Sequence, residues 1–429
     1  LSLILGFYLN ENLAGGAIDD LNIHVSILNA FKENYLLNFL KYKDYGSDHS
    51  PFFFSFLNFI NFPLNNLEFS FNSAVNFEGT QLKIFGTKFT ALRLLYLHIC
   101  LLAPIMFYKC LRIRYSDCNK FILLILSSLI LLSPYFRSYA IWPGYINLGF
   151  VFLLCSIYFF LKLEIETVNK KKIVFILLNV LFLALSAHAA PIYSLISLYF
   201  FYKIYEKFKF SNELLIFIIF NILLATPAFY YFFILDQYSF NYAINFFNNP
   251  TIVLYSTNII LISTIILFYT IPFIVVNKDF FYKEIFTLNR SNFLIFVITL
   301  TFTLLLIFNF YYDNKMNGGG FFYEASNIIF NNNFLLYIVA FFSIFILLKI
   351  IIKNKINDII LILLLFTLDP DPWVFHKTYD PLLLVIFLLL FQDRLFKSLN
   401  KNNQNIFALI FSIYFTSIYI LYFYIRIIF

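Results

Sequence analysis

Long apolar runs, separated by short polar loops, fill most of the chain. Backbone N–H and C=O groups in lipid have to be satisfied within their own segment, which favours helices. With a partial helix at 1–9, the runs predict about 13 transmembrane helices; the other runs are 91–107, 121–132, 145–161, 173–185, 192–205, 214–235, 252–276, 293–311, 334–352, 359–368, 382–391 and 406–429. The pattern therefore predicts an all-α polytopic membrane protein that forms a single integral-membrane domain over residues 1–429.

The first apolar run, 1–9, is too short to cross a membrane, because a transmembrane helix needs roughly 20 apolar residues. It also lacks the basic flank of a complete signal peptide. We therefore expect that the beginning of the first helix is missing from this sequence.

A long polar segment at 10–90 follows the first run and is expected to form the first outer loop. Apolar residues recur in it at three- and four-residue intervals, which predicts an amphipathic helix; they are Ile18, Leu21, Val25 and Leu28. Asp19 and Asp20 would lie at the start of that helix, where the free N–H groups and the dipole favour carboxylates. The run 52–62 is too short to span and predicts a second, interfacial helix.

Composition supports the membrane prediction and limits other chemistry. The chain is 61% hydrophobic and 12% charged, with a mean hydropathy of +0.82, which excludes an ordinary soluble domain. The four cysteines have the spacing of neither a zinc site nor a disulfide framework. The cysteines therefore predict no metal site, and no nucleic-acid partner is expected.

The charges of the loops predict how the chain is oriented. One set of alternate loops holds 20 of the 30 basic and 9 of the 23 acidic residues, whereas the other set holds 10 basic and 14 acidic residues. The positive-inside rule places the basic set in the cytoplasm and the Asp19–Asp20 loop outside. We therefore expect a multi-pass protein of the inner (plasma) membrane whose acidic loops face the periplasmic or outer side.

Ionisable groups near hydrocarbon depth are costly and usually functional, and they collect in the predicted outer loops. The first outer loop carries Asp19, Asp20, His24, Asp48 and His49, and later loops carry Arg137, Tyr139, His188, His376, Lys377, Tyr379 and Asp380. Arg137 could equally reach lipid headgroups, and His188 could be a satisfied donor at a helix end. These alternatives stay open from the sequence alone.

Several of these residues give the chain a resemblance to the GT-C superfamily of membrane glycosyltransferases, which use polyprenyl-phosphate sugars. Protein O-mannosyltransferases and bacterial aminoarabinose transferases belong to it. The first outer loop of such enzymes begins with Asp-Asp or Asp-Glu and later carries a His-Pro-Pro-like motif. The matching positions look like Asp19–Asp20, His49–Ser50–Pro51 (with Ser in place of Pro), Arg93 and Tyr379–Asp380–Pro381. The likeness covers residues 10–165 well and the rest only as topology.

The resemblance implies an inverting sugar transfer to a hydroxyl on a lipid-linked glycan or a protein. Asp19 and Asp20 would be the catalytic carboxylates, since a carboxylate can take the proton of the acceptor hydroxyl. The resemblance favours Asp19 as that base, with Asp20 paired with His24. Arg137 would hold the donor phosphate, because a guanidinium can grip two phosphate oxygens, with His188, His376 and Lys377 as further phosphate contacts. His24, Asp48, His49, Arg93 and Tyr379 would support the site or the acceptor. A divalent cation held by Asp19, Asp20 or His49 is left open by the spacing.

Two other functions compete with sugar transfer. A transporter or flippase for a lipid-linked glycan would need charges within its spans and two related halves with broken helices. The sequence has few charges inside the runs and no internal repeat. A glycan polymerase or ligase usually carries its large outer loop late in the chain, whereas the longest outer loop here is the first.

Overall fold

A computed structural model gives the fold of this protein. It describes residues 2–13, 17–42, 50–61, 90–230, 251–278, 282, 290–312, 318–353, 356–368 and 374–428. Within these ranges the secondary structure is helical, with no strand. The prediction of an all-α protein is therefore confirmed.

The helices follow one another with short connections. In chain order they are α1 (Ser2–Tyr8), α2 (Ala17–Glu33), α3 (Tyr35–Leu40), α4 (Pro51–Asn61), α5 (Thr90–Cys100), α6 (Leu102–Arg114), α7 (Lys120–Ser128), α8 (Pro134–Ile141), α9 (Tyr145–Ile165), α10 (Asn169–Ala189), α11 (Ile196–Phe208), α12 (Asn212–Phe229), α13 (Ile252–Val276), α14 (Arg290–Phe308), α15 (Phe321–Phe330), α16 (Phe334–Lys353), α17 (Ile356–Thr367), α18 (His376–Tyr379), α19 (Leu382–Leu389) and α20 (Gln404–Ile428). Short 3-10 turns precede α8 at Leu129–Leu132 and α11 at Pro191–Leu195.

Several of these helices are long and apolar enough to cross a membrane. In the described part of the chain there are eight, at Ala91–Arg114, Tyr145–Ile165, Asn169–Ala189, Asn212–Phe229, Ile252–Val276, Arg290–Phe308, Phe334–Ile352 and Gln404–Tyr424. The protein is thus a multi-pass membrane protein. A helix lies at each of the 13 predicted positions, but the others are too short to meet this criterion, so the predicted count of spans is not confirmed.

One further segment is interrupted by a bend. The helical stretch Lys120–Leu132 and helix α8 meet at an angle of 69°. Ser133, the residue between them, has an extended backbone with φ −66° and ψ 121°. Pro134 follows it, and proline disfavours the helical conformation in the residue before it. The bend therefore has a local cause in the Ser133–Pro134 pair, and it turns α8 away from the direction of α7.

The short helix α19 occupies the interior of the bundle. All eight of its side chains, Leu382 to Leu389, are buried, and it packs against α6 and α13. A helix that is apolar on every side lies either in lipid or in a protein core, and the burial of all eight side chains places this one in the core. The segment that precedes it, including Lys377 and Asp380, is therefore held at one end of the bundle core.

Hydrogen bonds between loops sort the loops into two groups. At one end, which we call the basic end, Arg114 donates to Phe391 O, Tyr115 to Leu388 O and Lys207 to Glu164 O. At the other, the acidic end, Arg137 bonds to Glu11, Tyr139 to Asp20 and Ser133 to Asp380. Each bond joins chain segments that lie in loops of the same predicted set or in the helix ends next to them. Helix α9 begins at the acidic end and finishes at the basic end, and its 21 residues span about 30 Å at 1.5 Å per residue.

The separation of the two ends predicts opposite labelling by a membrane-impermeant maleimide. Glu33 in the first acidic segment and Lys170 at the basic end are both exposed, whereas Cys100, Cys110 and Cys118 are buried. In sealed vesicles, Glu33→Cys and Lys170→Cys should therefore be labelled from opposite sides. Labelling of both from one side would show that these segments do not lie on opposite faces; the unsubstituted protein is the control.

Candidate active site

Helix α8 organises the acidic end. Ser133 caps it, since its Oγ accepts a hydrogen bond from Phe136 N at 2.9 Å, and Pro134 occupies the first helical position, where a missing N–H costs nothing. Almost every side chain of this eight-residue helix is buried. Three of them, Tyr135, Arg137 and Tyr139, contact residues from the two ends of the sequence.

Arg137 forms a buried ion pair with Glu11. Its Nε and Nη2 each lie 2.5 Å from a Glu11 carboxylate oxygen, and the two side chains are only 1% and 7% exposed. The other N–H groups donate to Ser2 Oγ, Ser2 O and Leu131 O, each at 3.1 Å. A guanidinium has five N–H donors, and all five are used here. The phosphate contact predicted for Arg137 stays a prediction, and it would require Glu11 to be released.

Arg93 and Trp142 bind the same N-terminal segment. The Arg93 guanidinium lies 3.6 Å from the centre of the Trp142 ring, and its N–H groups donate to Ile141 O and Asn10 Oδ1, both at 3.1 Å. Trp142 Nε1 donates to Glu11 O at 3.0 Å. Arg93 therefore joins the end of α8 to the chain before α2. Its predicted role in supporting the site or the acceptor stays a prediction.

Asp20, Tyr139 and Lys377 meet at the acidic end, and we call these three residues the Asp20 site. The Tyr139 hydroxyl donates to Asp20 Oδ2 at 2.8 Å, and Lys377 Nζ donates to Tyr139 Oη at 3.2 Å. Lys377 Nζ is 3.8 Å from Asp20 Oδ2, close enough for an ion pair but too long for a hydrogen bond. Two residues predicted from sequence, 357 positions apart, are thus brought together by a tyrosine that had been given no role.

The Asp20 site is partly exposed. The side chains of Lys377 and Asp20 are 21% and 27% exposed, in contrast to the buried pair of Arg137 and Glu11. An ammonium has three N–H donors, and within the described chain Lys377 gives one of them to Tyr139. The site therefore places a carboxylate oxygen beside a flexible cation.

A buried cluster of polar residues lies directly behind the Asp20 site. The hydroxyls of Ser133 and Tyr269 both donate to the Asp380 carboxylate, which is 5% exposed. Burial raises the pKa of the Asp380 carboxyl to about 6, although the two hydroxyls oppose the shift. We call Ser133, Tyr269, His376 and Asp380 the Asp380 cluster. It fixes the segment that carries Lys377 against α8 and α13.

His376 belongs to that cluster rather than to an open surface. Its ring stacks on Tyr135 of α8 at 5.3 Å and lies edge-on to Phe268, and its Nε2 is 3.4 Å from Tyr269 Oη. Burial lowers the pKa of His376 to about 3, so the imidazole is neutral near pH 7. A neutral ring carries no charge to offer a phosphate. The phosphate contact predicted for His376 stays a prediction.

The remaining predicted residues are placed in part. His188 bonds through Nε2 to Leu224 O at 2.8 Å, and its ring packs beside Phe52 of α4. Tyr379 is buried and donates to Leu365 O at 3.2 Å, so its hydroxyl faces the protein. Asp19 and His24 lie on α2, but their side chains are outside the described residues, as are Asp48 and His49 entirely.

Three further residues of the acidic end were not singled out by the sequence analysis. Glu11 directly follows the first apolar run, which is the only signal of its position in the sequence. Tyr269 lies within a long apolar helix, and no feature of the sequence indicates its role. Gly144 follows Trp142–Pro143, and a Cβ at this position would lie 2.2 Å from Tyr139 Cδ1, so only glycine lets the Tyr139 ring take its place.

Two further observations bear on the acidic end, one on metal binding and one on related proteins. Within the described ranges, no group of three or more His, Cys, Asp and Glu side chains is arranged to hold a metal ion. In comparisons with protein-family models, curated proteins and solved structures, the chain matches none of them.

Because the Arg137–Glu11 pair is buried, removal of one partner should lower the stability of the protein strongly. Arg137→Met should lower the free energy of unfolding in detergent by about 3–5 kcal/mol, because it leaves a buried carboxylate unpaired. The double variant with Glu11→Met should recover most of that loss. Arg394→Met, at an exposed position, is the control and should stay within about 0.5 kcal/mol of the parent. If Arg137→Met is as stable as the control, the pair does not anchor α8.

Proposed function

We propose that this protein is a GT-C-type glycosyltransferase that moves a sugar from a polyprenyl-phosphate donor to a hydroxyl acceptor. The reaction takes place at the acidic end of the bundle, on the outer face of the plasma membrane. The observation that carries the proposal is the pairing of Asp20 with Lys377 through Tyr139. Such a transfer needs a base and a cation within one partly open site, close to the helices that would hold a lipid chain.

At the anomeric carbon the reaction forms one bond and breaks one, and a proton moves from the acceptor to the protein. The acceptor oxygen attacks the anomeric carbon of the sugar, and the bond from that carbon to the phosphate oxygen breaks, so the phosphate leaves with the bonding electrons. Asp20 takes the proton of the acceptor hydroxyl, a role that typically contributes about 10²- to 10⁴-fold. Lys377 stabilises the negative charge that grows on the leaving phosphate, which is usually the larger effect.

The two groups are 3.8 Å apart before a ligand binds, whereas in an inverting transfer the base and the leaving group lie on opposite sides of the anomeric carbon. Lysine suits this requirement because its ammonium is carried on a flexible four-carbon chain. When donor and acceptor bind, Lys377 follows the phosphate and leaves Asp20 to the acceptor. Tyr139 keeps Asp20 in place during this exchange.

The contacts favour a different division of roles from the one first predicted. Lys377 takes the phosphate contact, since the donors of Arg137 are used by Glu11, Ser2 and Leu131. Asp20 is the base, with Asp19 beside it on α2. The proposal also includes the arrangement in the membrane. The shorter helices complete a bundle of about 13 transmembrane helices, and α2 and α4 lie at the membrane interface.

The base is tested by Asp20→Asn, which keeps the shape of the side chain and removes its basicity. The purified protein in lipid nanodiscs is given a panel of polyprenyl-phosphate sugars with membrane acceptors, and released polyprenyl phosphate is measured by mass spectrometry. Release by Asp20→Asn should fall by about 10²- to 10⁴-fold. The control is Glu33→Gln, an exposed carboxylate on the same helix, which should keep parental activity.

Near-parental turnover by Asp20→Asn would remove Asp20 from the reaction. The same protein in sealed vesicles distinguishes sugar transfer from the alternative function, which is transport of a lipid-linked sugar. If the parent protein carries a labelled lipid-linked sugar across the membrane and releases no polyprenyl phosphate, it is a transporter and not a transferase.

The phosphate contact is tested by comparing two substitutions of Lys377. Lys377→Met should lower kcat/KM for the donor by about 10²-fold, since a charged contact to phosphate contributes roughly 1.5–3 kcal/mol. Lys377→Arg keeps the charge and should recover part of the loss, while the KM for the acceptor stays near the parental value. An effect on acceptor KM alone would place Lys377 away from the phosphate.

A further inference from the structure

A cavity lies at the basic end, about one length of α9 away from the Asp20 site. Its volume is about 310 Å³, within the range of small-molecule sites, and it forms where α9 and α11 end beside Gln392. Its charged lining consists of two lysines and two glutamates: Lys203, Lys207, Glu164 and Glu206. A cavity with equal numbers of cations and carboxylates fits a ligand that carries both charges.

The two lysines have more N–H donors than the described residues use. Lys203 Nζ is 2.7 Å from Glu206 Oε2, and Lys207 Nζ donates to Leu163 O at 2.7 Å and to Glu164 O at 2.9 Å. Each ammonium has three N–H groups, so the two lysines together have donors left for an anionic oxygen. Lys203 is also largely enclosed, with 11% of its side chain exposed.

The Glu164 carboxylate complements these donors. It lines the cavity and is half-buried, and no hydrogen bond from the described residues reaches its side-chain oxygens. A ligand that brings an N–H donor to this carboxylate would form a charge-assisted hydrogen bond there. The cavity thus has a place for an ammonium beside a place for a phosphate.

An apolar path leads away from the cavity along α11. Phe208 lines the cavity, and Tyr205, Phe201 and Leu198 follow at three- and four-residue intervals on the same face of the helix. Phe201 and Leu198 are exposed on the bundle surface. Because α11 runs from the acidic towards the basic end, this row of side chains points from the cavity into the depth of the membrane.

We propose that this cavity binds the headgroup of an ethanolamine phospholipid. The phosphate would contact Lys203 and Lys207, the primary ammonium would donate to Glu164, and an acyl chain would lie along the α11 row. Neither a choline headgroup nor an anionic headgroup without an amine has an ammonium N–H to donate to Glu164. The site differs from the Asp20 site, and the inference holds whether or not the protein transfers sugars.

The test is lipid retention by the full-length protein. The protein is exchanged into nanodiscs of equal ethanolamine, choline and glycerol phospholipids, extracted gently, and analysed by native mass spectrometry. We expect one ethanolamine lipid to stay bound. Glu164→Gln and Lys203→Gln should each weaken retention about tenfold or more, the loss of one charged hydrogen bond. Asp117→Asn and Lys170→Gln, exposed at the same end, are the matched controls and should not change it.

Two outcomes would overturn the proposal. One is equal retention of choline and ethanolamine lipids by the parent protein, and the other is unchanged retention in both cavity variants. Thermal unfolding in lipid-free detergent checks that each variant is folded as the parent is. Soluble phosphoethanolamine is added as a competitor: displacement at micromolar concentration would identify a soluble ligand, whereas the lipid proposal expects competition only in large excess, because the soluble compound lacks the acyl chains.

Discussion

The buried ion pair between Arg137 and Glu11 is the interaction on which the acidic end depends. Two charges are removed from water at that position, and such a pair is favourable only when its remaining donors are satisfied. They are, because Ser2 and Leu131 accept the other guanidinium N–H groups. The pair holds the N-terminal segment against α8, and with it the start of α2, where Asp20 lies.

Helix α8 then connects this anchor to the C-terminal segment. Its three inward side chains make three different contacts: Arg137 holds Glu11, Tyr139 holds Asp20 and Lys377, and Tyr135 stacks on His376. Behind them the Asp380 cluster fixes the backbone that carries Lys377. The Asp20 site is therefore partly exposed, and it packs against two buried groups, the Arg137–Glu11 pair and the Asp380 cluster. The buried groups hold its geometry while its own side chains stay accessible.

The sequence predicted the helices and the two ends of the bundle better than it predicted contacts. Apolar runs and loop charges follow from local composition, so the helix positions and the grouping of Asp20 with Lys377 at one end were accessible. The partner of Arg137 was not, because a guanidinium in an outer loop looks the same whether it faces a phosphate or a buried carboxylate. The burial of His376 depends on Tyr135 and Phe268, which are distant in sequence, and nothing local to His376 indicates it.

The most direct measurement is a cryo-electron microscopy structure of the protein in lipid nanodiscs with a polyprenyl-phosphate sugar bound. The phosphate should lie within hydrogen-bond distance of Lys377 Nζ, with the sugar carbon facing Asp20 and the Arg137–Glu11 pair intact. A phosphate bound to Arg137 after release of Glu11, or a lipid bound away from the acidic end, would contradict the arrangement described for this site.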